Sequence, residues 1–227
     1  MKKLFVFTVI ILCGMALKAQ KTFFPTKEGT VLVYKTFDKK DKVTNMLRYT
    51  IKHVNISGSD LDITYLVESI DPKDKLVYKD EITIHQKDEK LYLDMSNLIY
   101  KATFQQNGEI PVNIQVKGNN MEIPVNLKPG DVLPDANVEM ASEKGFIIMK
   151  ISAEVTNRKV EAIENVTVKA GTFKAYKFTS DVNSSTMGIN VKAKNIDWYV
   201  KGIGAVKTES YDKKGKLQSH TELVELK

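Results

Sequence analysis

Apolar and polar residues alternate along most of the chain from Val31 onward. Leu61, Ile63, Tyr65 and Val67 are interleaved with Asp62, Thr64, Leu66 and Glu68; Ile147, Met149, Ile151, Ala153 and Val155 are interleaved with Ile148, Lys150, Ser152, Glu154 and Thr156. Met187, Ile189, Val191 and Ala193, set between Gly188, Asn190, Lys192 and Lys194, give the cleanest one-sided pattern in the sequence. A period of two sends successive side chains to opposite faces of a strand. These segments therefore predict antiparallel sheet with an apolar face inward and a polar face in water.

Polar clusters punctuate the pattern. Asp38-Lys39-Lys40-Asp41-Lys42, Asp71-Pro72-Lys73-Asp74-Lys75 and Asp212-Lys213-Lys214-Gly215-Lys216 each separate two strand-like runs. Asp bonds its own downstream backbone, Pro presets a turn φ and Gly accepts positive φ, so these read as hairpin loops. Ser57-Gly58-Ser59-Asp60, Asn107-Gly108 and Gly118-Asn119-Asn120 read as further turns. Ala170-Gly171-Thr172 turns the chain between Val166-Thr167-Val168 and the run from Phe173 to Phe178.

After the first twenty residues no stretch keeps a helical period, although Ser96 to Gln105 has room for one short helix. About a dozen strands are too many for one flat sheet, so an all-β fold is expected: a curved, largely antiparallel β-barrel, with a β-sandwich as the alternative. Pro124, Pro129, Gly130 and Pro134 fall between Met121 and Ala136, which suits an irregular crossing inside a single β-rich domain spanning 20–227.

The first nineteen residues read as an export signal. Lys2 and Lys3 precede an apolar run from Leu4 to Leu12, and Gly14, Ala16 and Ala19 are small residues suited to cleavage. As a helix that run rises about 14 Å, well short of the ~30 Å apolar core of a bilayer. Ala19 is the preferred cleavage position. Leu12 directly before Cys13 disfavours lipid attachment, which calls for a small residue there.

Composition then narrows the partners. The chain is 42% hydrophobic and 27% charged, with one Cys, so disorder, a disulfide framework and a Cys-rich metal site are excluded. Cleavage after Ala19 removes Lys2, Lys3 and Lys18 and no acid, halving the formal net charge of +6. Arg48 and Arg158 are the only arginines. Nucleic acid is not an expected partner.

Four segments together resemble the TapB-like family of exported Gram-negative envelope proteins. They are Phe23-Phe24-Pro25-Thr26-Lys27-Glu28-Gly29-Thr30 with Tyr34, the run Lys128 to Ala136, the run Val160 to Phe173, and the run Trp198 to Lys207 leading into Tyr211-Asp212. Lys169 stands where the family pattern has Pro. The resemblance implies a mostly β envelope protein and carries no catalytic residues. On physical grounds Trp198 is a core anchor, while Gly202 and Gly204 fit a strand bulge or close packing over it.

A search for chemistry finds little. His53, His85 and His220 lack ligand spacing, and Gly-x-Ser-x-Gly is absent. Gly202-Ile203-Gly204 runs on into Ala205-Val206-Lys207-Thr208, a strand, so no helix N-terminus follows to hold a phosphate. Asp60 with Asp62, or Glu161 and Glu164 with Glu154, are candidate carboxylate pairs for a hydrolase acting on envelope polymer or glycan, but a polar outer face explains them better. Asp71 to Lys75 lacks the ligand pattern of a calcium loop. Met46, Met95, Met121, Met140, Met149 and Met187 suit either an ordinary core or an adaptable pocket.

No catalytic, metal or cofactor residues are therefore assigned. The reading reached is an exported, non-enzymatic binding or scaffold barrel, periplasmic or outer-membrane-associated and at most peripheral to the membrane. Its expected partner is a lipid-like or apolar small molecule, or another envelope protein.

Overall fold

A computed structural model describes residues 22–98, 114–144 and 147–227. The expected export signal with Cys13 and Ala19 lies outside these residues, as does the expected Asn107-Gly108 turn. Thirteen strands are described: β1 (Val31–Asp38), β2 (Val43–Ser57), β3 (Asp60–Ile70), β4 (Leu76–Lys87), β5 (Lys90–Leu93), β6 (Ile114–Gly118), β7 (Met121–Pro124), β8 (Ala136–Lys144), β9 (Ile147–Val168), β10 (Gly171–Thr186), β11 (Ile189–Val200), β12 (Gly204–Asp212) and β13 (Leu217–Leu226). A 3₁₀ turn at Met95–Leu98 occupies the start of the expected short helix, whose remainder lies outside the described residues.

All thirteen strands belong to one antiparallel sheet, in the order β6-β8-β9-β10-β11-β12-β13-β1-β2-β3-β4-β5-β7. The all-β expectation holds, and a single sheet forms in place of a sandwich. Its two edges, β6 and β7, are consecutive in the chain and joined only by Asn119 and Asn120. Three Cα–Cα steps span at most about 11 Å, so the sheet has to curl until its edges nearly meet. No hydrogen bonds pair β6 with β7, and the curl stops short of a closed barrel.

The expected turn at Gly118-Asn119-Asn120 is therefore this edge-to-edge crossing and no hairpin. Asn119 is clamped to β8: its N–H donates to Asn137 O (3.0 Å), its Nδ2 donates to Asp135 O (3.0 Å), and its Oδ1 accepts from Asn137 N (2.7 Å). Gly118 has φ +146°, and a Cβ there would lie 2.2 Å from Asn137 O. Only glycine lets the two backbones approach so closely.

The three Asp-Lys loops are hairpins of one design. In each the leading carboxylate (Asp38, Asp71 or Asp212) accepts from the backbone N–H two and four residues on, at 2.8 and 3.0 Å. Asp41, Asp74 and Gly215 supply the positive φ that closes each loop.

From Met121 to Ala136 the chain departs partly from the expected irregular crossing. Met121–Pro124 is edge strand β7, paired to β5 and ending at Pro124, where a missing N–H does no harm. The segment beyond it runs along β9, with Gly130 N donating to Val160 O (2.7 Å) and Leu133 N to Arg158 O (2.9 Å).

Phe23 sits at the centre of the core, fully buried and edge-on to Tyr176, Phe178 and Tyr199 with centroids 5.4, 6.4 and 6.1 Å away. Ile84, Leu91, Ile123, Leu127, Leu133 and Val160 complete the buried part of that cluster. A second cluster holds Trp198 with Leu32, Val166, Ala175, Val206 and Leu223. Gly202 and Gly204 lie against the Phe23 segment: Gly202 N donates to Thr22 O (2.8 Å), and a Cβ on Gly204 would stand 3.6 Å from Phe23 O; the β11–β12 register shifts between Trp198 and Tyr199, with Gly204 paired to Val200. Gly171 (φ +142°) opens β10 beside the Phe173 ring.

One strand departs from its expected burial. Met187 is a turn residue at the β10–β11 tip, and Ile189 and Val191 of β11 are 72% and 56% exposed. The alternation placed them on the correct face, but the hairpin projects past the strands that would cover them.

Candidate functional site

The concave face of the curled sheet encloses a partly open cavity of about 630 Å³. Its apolar wall is made by Met121 and Ile123 of β7, Ile151 and Val155 of β9, and Phe178 and Val182 of β10. Its polar wall is made by Arg158, Asn195, Asp197, Tyr199 and Thr208. Strands distant in sequence thus meet across one space, which a flat sheet would not allow.

A bulge delivers Arg158 to this space. Lys159 pairs with Thr179 and Thr156 with Asp181, so Asn157 and Arg158 both stand opposite Ser180. Asn157 takes φ +51° and donates its Nδ2 to Asp181 Oδ2 (2.8 Å). An extra residue shifts the strand's parity, re-aiming the next side chain. Buried Arg158 then donates Nη1 to Pro134 O (2.6 Å) and Nη2 to Glu122 O (3.0 Å), tying the crossing and β7 to β9. Burial lowers its pKa, but guanidinium stays charged at any working pH.

Asp197 is the one carboxyl lining the cavity among the described residues. It accepts from Thr208 Oγ1 at 2.7 Å. Enclosure by protein pushes its pKa up to about 6; the Thr208 hydrogen bond and the Arg158 charge oppose the shift without cancelling it. Thr208 pairs in register with Thr221, whose hydroxyl lies 2.9 Å from that of Thr36. A row of hydroxyls thus crosses β1, β13 and β12 and ends at the carboxylate. Burial also raises the pKa of Tyr199, so its phenol remains a neutral donor.

The candidates taken from sequence lie elsewhere. His53 is exposed with Glu28 at 4.0 Å, His85 is bonded to Asp62 at 2.7 Å on the surface, and His220 stacks on Phe37. Glu161 bonds Lys159 and Thr179, and Glu164 accepts the Trp198 indole N–H at 2.8 Å. None of these histidines and carboxylates, nor Asp60 or Glu154, is among the residues lining the cavity. Of the methionines, Met121 lines it, while Met95 and Met140 are buried with Val138 in the cluster that Ile151 and Val155 share with the cavity wall.

Sequence reasoning missed Arg158 and Asp197. A signal for the first was present: the apolar positions of β9 are odd at Ile151, Ala153 and Val155 but even at Val160, and that switch of parity brackets Asn157-Arg158.

Comparison with known proteins agrees with this architecture. A Bacteroides fragilis crystal structure, assigned as an exported protein with a YmcC-like fold, is 23% identical, with a TM-score of 0.75 over 91% of this chain and 99% of that one. A Parabacteroides distasonis structure assigned as a lipoprotein is 25% identical, with a TM-score of 0.73 over 91% of this chain and 98% of the other. No curated protein matches. The TapB-like name suggested by the four segments is not the one that matches. A family described as DUF3108-like matches residues 27–223, and this chain belongs to that family.

Proposed function

We propose that this is an exported envelope protein that binds, without catalysis, the apolar chain of an amphipathic small molecule inside its curled sheet. The cavity carries the reading. Its volume lies within the range of ligand sites, and it sets one apolar wall against a few converging polar groups. The apolar chain would lie along Met121, Ile123, Ile151, Val155 and Val182, with the polar end near Arg158, Asp197 and Tyr199. Export is supported by the signal-like first nineteen residues and by the exported and lipoprotein assignments of the two similar structures.

A glycosidase reading is less well supported, because it needs two carboxyls flanking a substrate and the cavity wall offers Asp197 alone among the described residues.

Native mass spectrometry of protein purified gently from envelope extract tests the proposal. A discrete added mass that disappears on denaturation is expected, and Ala153→Phe, which fills the cavity, should remove it while leaving the far-ultraviolet β signal intact. A clean apo mass together with no saturable binding of N-phenyl-1-naphthylamine would overturn the reading.

A further inference from the structure

The projecting β10–β11 hairpin is the continuation of the cavity wall. Thr186 pairs with Ile189, Ser184 with Val191, Ser180 with Asn195 and Phe178 with Asp197, so Ile189 and Val191 share a face of β11 with the cavity-lining Asn195 and Asp197. The cavity reaches the last residue of β10, Thr186. Beyond it the chain turns through Met187 (φ 50°) and Gly188 (φ 84°), a tight two-residue connection that holds the tip in a fixed shape. Met187, Ile189 and Val191 are 63%, 72% and 56% exposed, an apolar lip just beyond a cavity wall that ends in Ser184 and Thr186 of β10 beside Ile151 of β9. Adjacent β9, whose Lys150 O accepts from Met187 N at 3.0 Å, carries Ile147, Ile148 and Met149 in sequence just before Lys150.

Charge indicates what covers this lip. From Val182 to Ile196 there is no acidic residue, while Lys192 and Lys194 are both present and exposed. Lys194 also reaches Asp181 Oδ1 at 2.9 Å, at the base of the hairpin and away from its tip. Apolar residues at a tip with cations set one step back match the layering of an anionic bilayer surface, with acyl chains inside and phosphates outside.

We infer that the β10–β11 tip inserts into the surface of an anionic phospholipid bilayer, so that Ile189 and Val191 form the portal through which an amphipathic lipid passes between bilayer and cavity. This rests on the binding reading given above and names the source of its ligand. An apolar molecule would then pass from the lip along Ile151 and Val182 into the cavity.

Flotation of the mature protein with mixed phosphatidylethanolamine–phosphatidylglycerol vesicles tests the portal. Wild-type protein should float with the vesicles, and Ile189→Asp/Val191→Asp should weaken that partitioning about tenfold or more, as expected for withdrawing two apolar side chains from the interface. Both positions are already exposed, so the variant should keep its melting temperature. In vesicle-free buffer it should bind N-phenyl-1-naphthylamine as tightly as wild type, because neither Ile189 nor Val191 lines the cavity itself. Equal partitioning of wild type and variant, or no partitioning of either, overturns the portal while leaving the cavity reading standing. Loss of probe binding by wild type overturns the cavity reading instead. A vesicle-free dimer that the double variant dissolves also overturns the portal, assigning the lip to a second copy of the chain.

Discussion

Replacing Asp197 by Asn should stabilise the protein at neutral pH and do almost nothing at pH 4. The Asp197 carboxyl has an ordinary value of 3.8 and is pushed up to about 6 by its enclosure beside Thr208, Tyr199 and Arg158. The folded state therefore holds this proton more tightly than the unfolded state does. Stability contributed by the protonated form is complete below 3.8, is lost as the pH rises towards 6, and does not return above it. The interval between 3.8 and about 6 corresponds to about 3 kcal/mol. Asn mimics the neutral carboxyl in shape and still accepts from Thr208, but it never ionises. The advantage of Asp197→Asn over wild type should thus grow through the interval between 3.8 and 6 to about 2–3 kcal/mol, then stay level. Urea unfolding followed by the fluorescence of Trp198, the single tryptophan, measures it across that range. Comparing the two proteins at each pH removes the opposite trend from other carboxylates. An advantage of equal size at pH 4 and pH 8, or a variant less stable at pH 8, would refute the claim that Asp197 is held in a poorly solvating cavity.

Other outcomes follow from the packing and the loops. Phe23→Ala should cost about 3–5 kcal/mol in chemical denaturation, because it empties the centre of the aromatic cluster. Gly118→Ala sets a methyl group against Asn137 O at a positive φ and should cost about 1–3 kcal/mol; a neutral result would mean that the edge crossing yields easily. The carboxyls of Asp38, Asp71 and Asp212 are each held below 3.8, mainly by the backbone N–H groups they accept from, so their contribution is present above 3.8 and lost as pH falls below it. Carboxyl carbon NMR titration should place all three midpoints below 3.8, and midpoints at the ordinary value would contradict the loop geometry.

The comparison of sequence with structure divides along the range of the interactions involved. The loops at Asp38, Asp71 and Asp212 were legible because each is closed by a side chain bonding its own neighbours, and chemistry within five residues decides such a turn. Strand character was legible for a similar reason: the period of two at Leu61–Val67 belongs to the pleat itself. Gly118-Asn119-Asn120 was misread as an ordinary turn because a hairpin and an edge crossing share the same local residues. The difference lies in Asn137 and Asp135, which grip Asn119 from a strand beyond the crossing.

The amino-acid sequence by itself determined that this chain is all-β, where most of its hairpins turn, and which side chains share each strand face. The tertiary structure alone decided how far the sheet curls, and so which of those faces enclose a cavity and which stand in water. Ile189 and Asp197 illustrate the reason. They share one face of β11, yet Ile189 is exposed and Asp197 is enclosed, because burial depends on what the curl brings opposite each position. The bulge at Asn157-Arg158 and the two-residue link between β6 and β7 set that curl, through contacts between segments far apart in the chain.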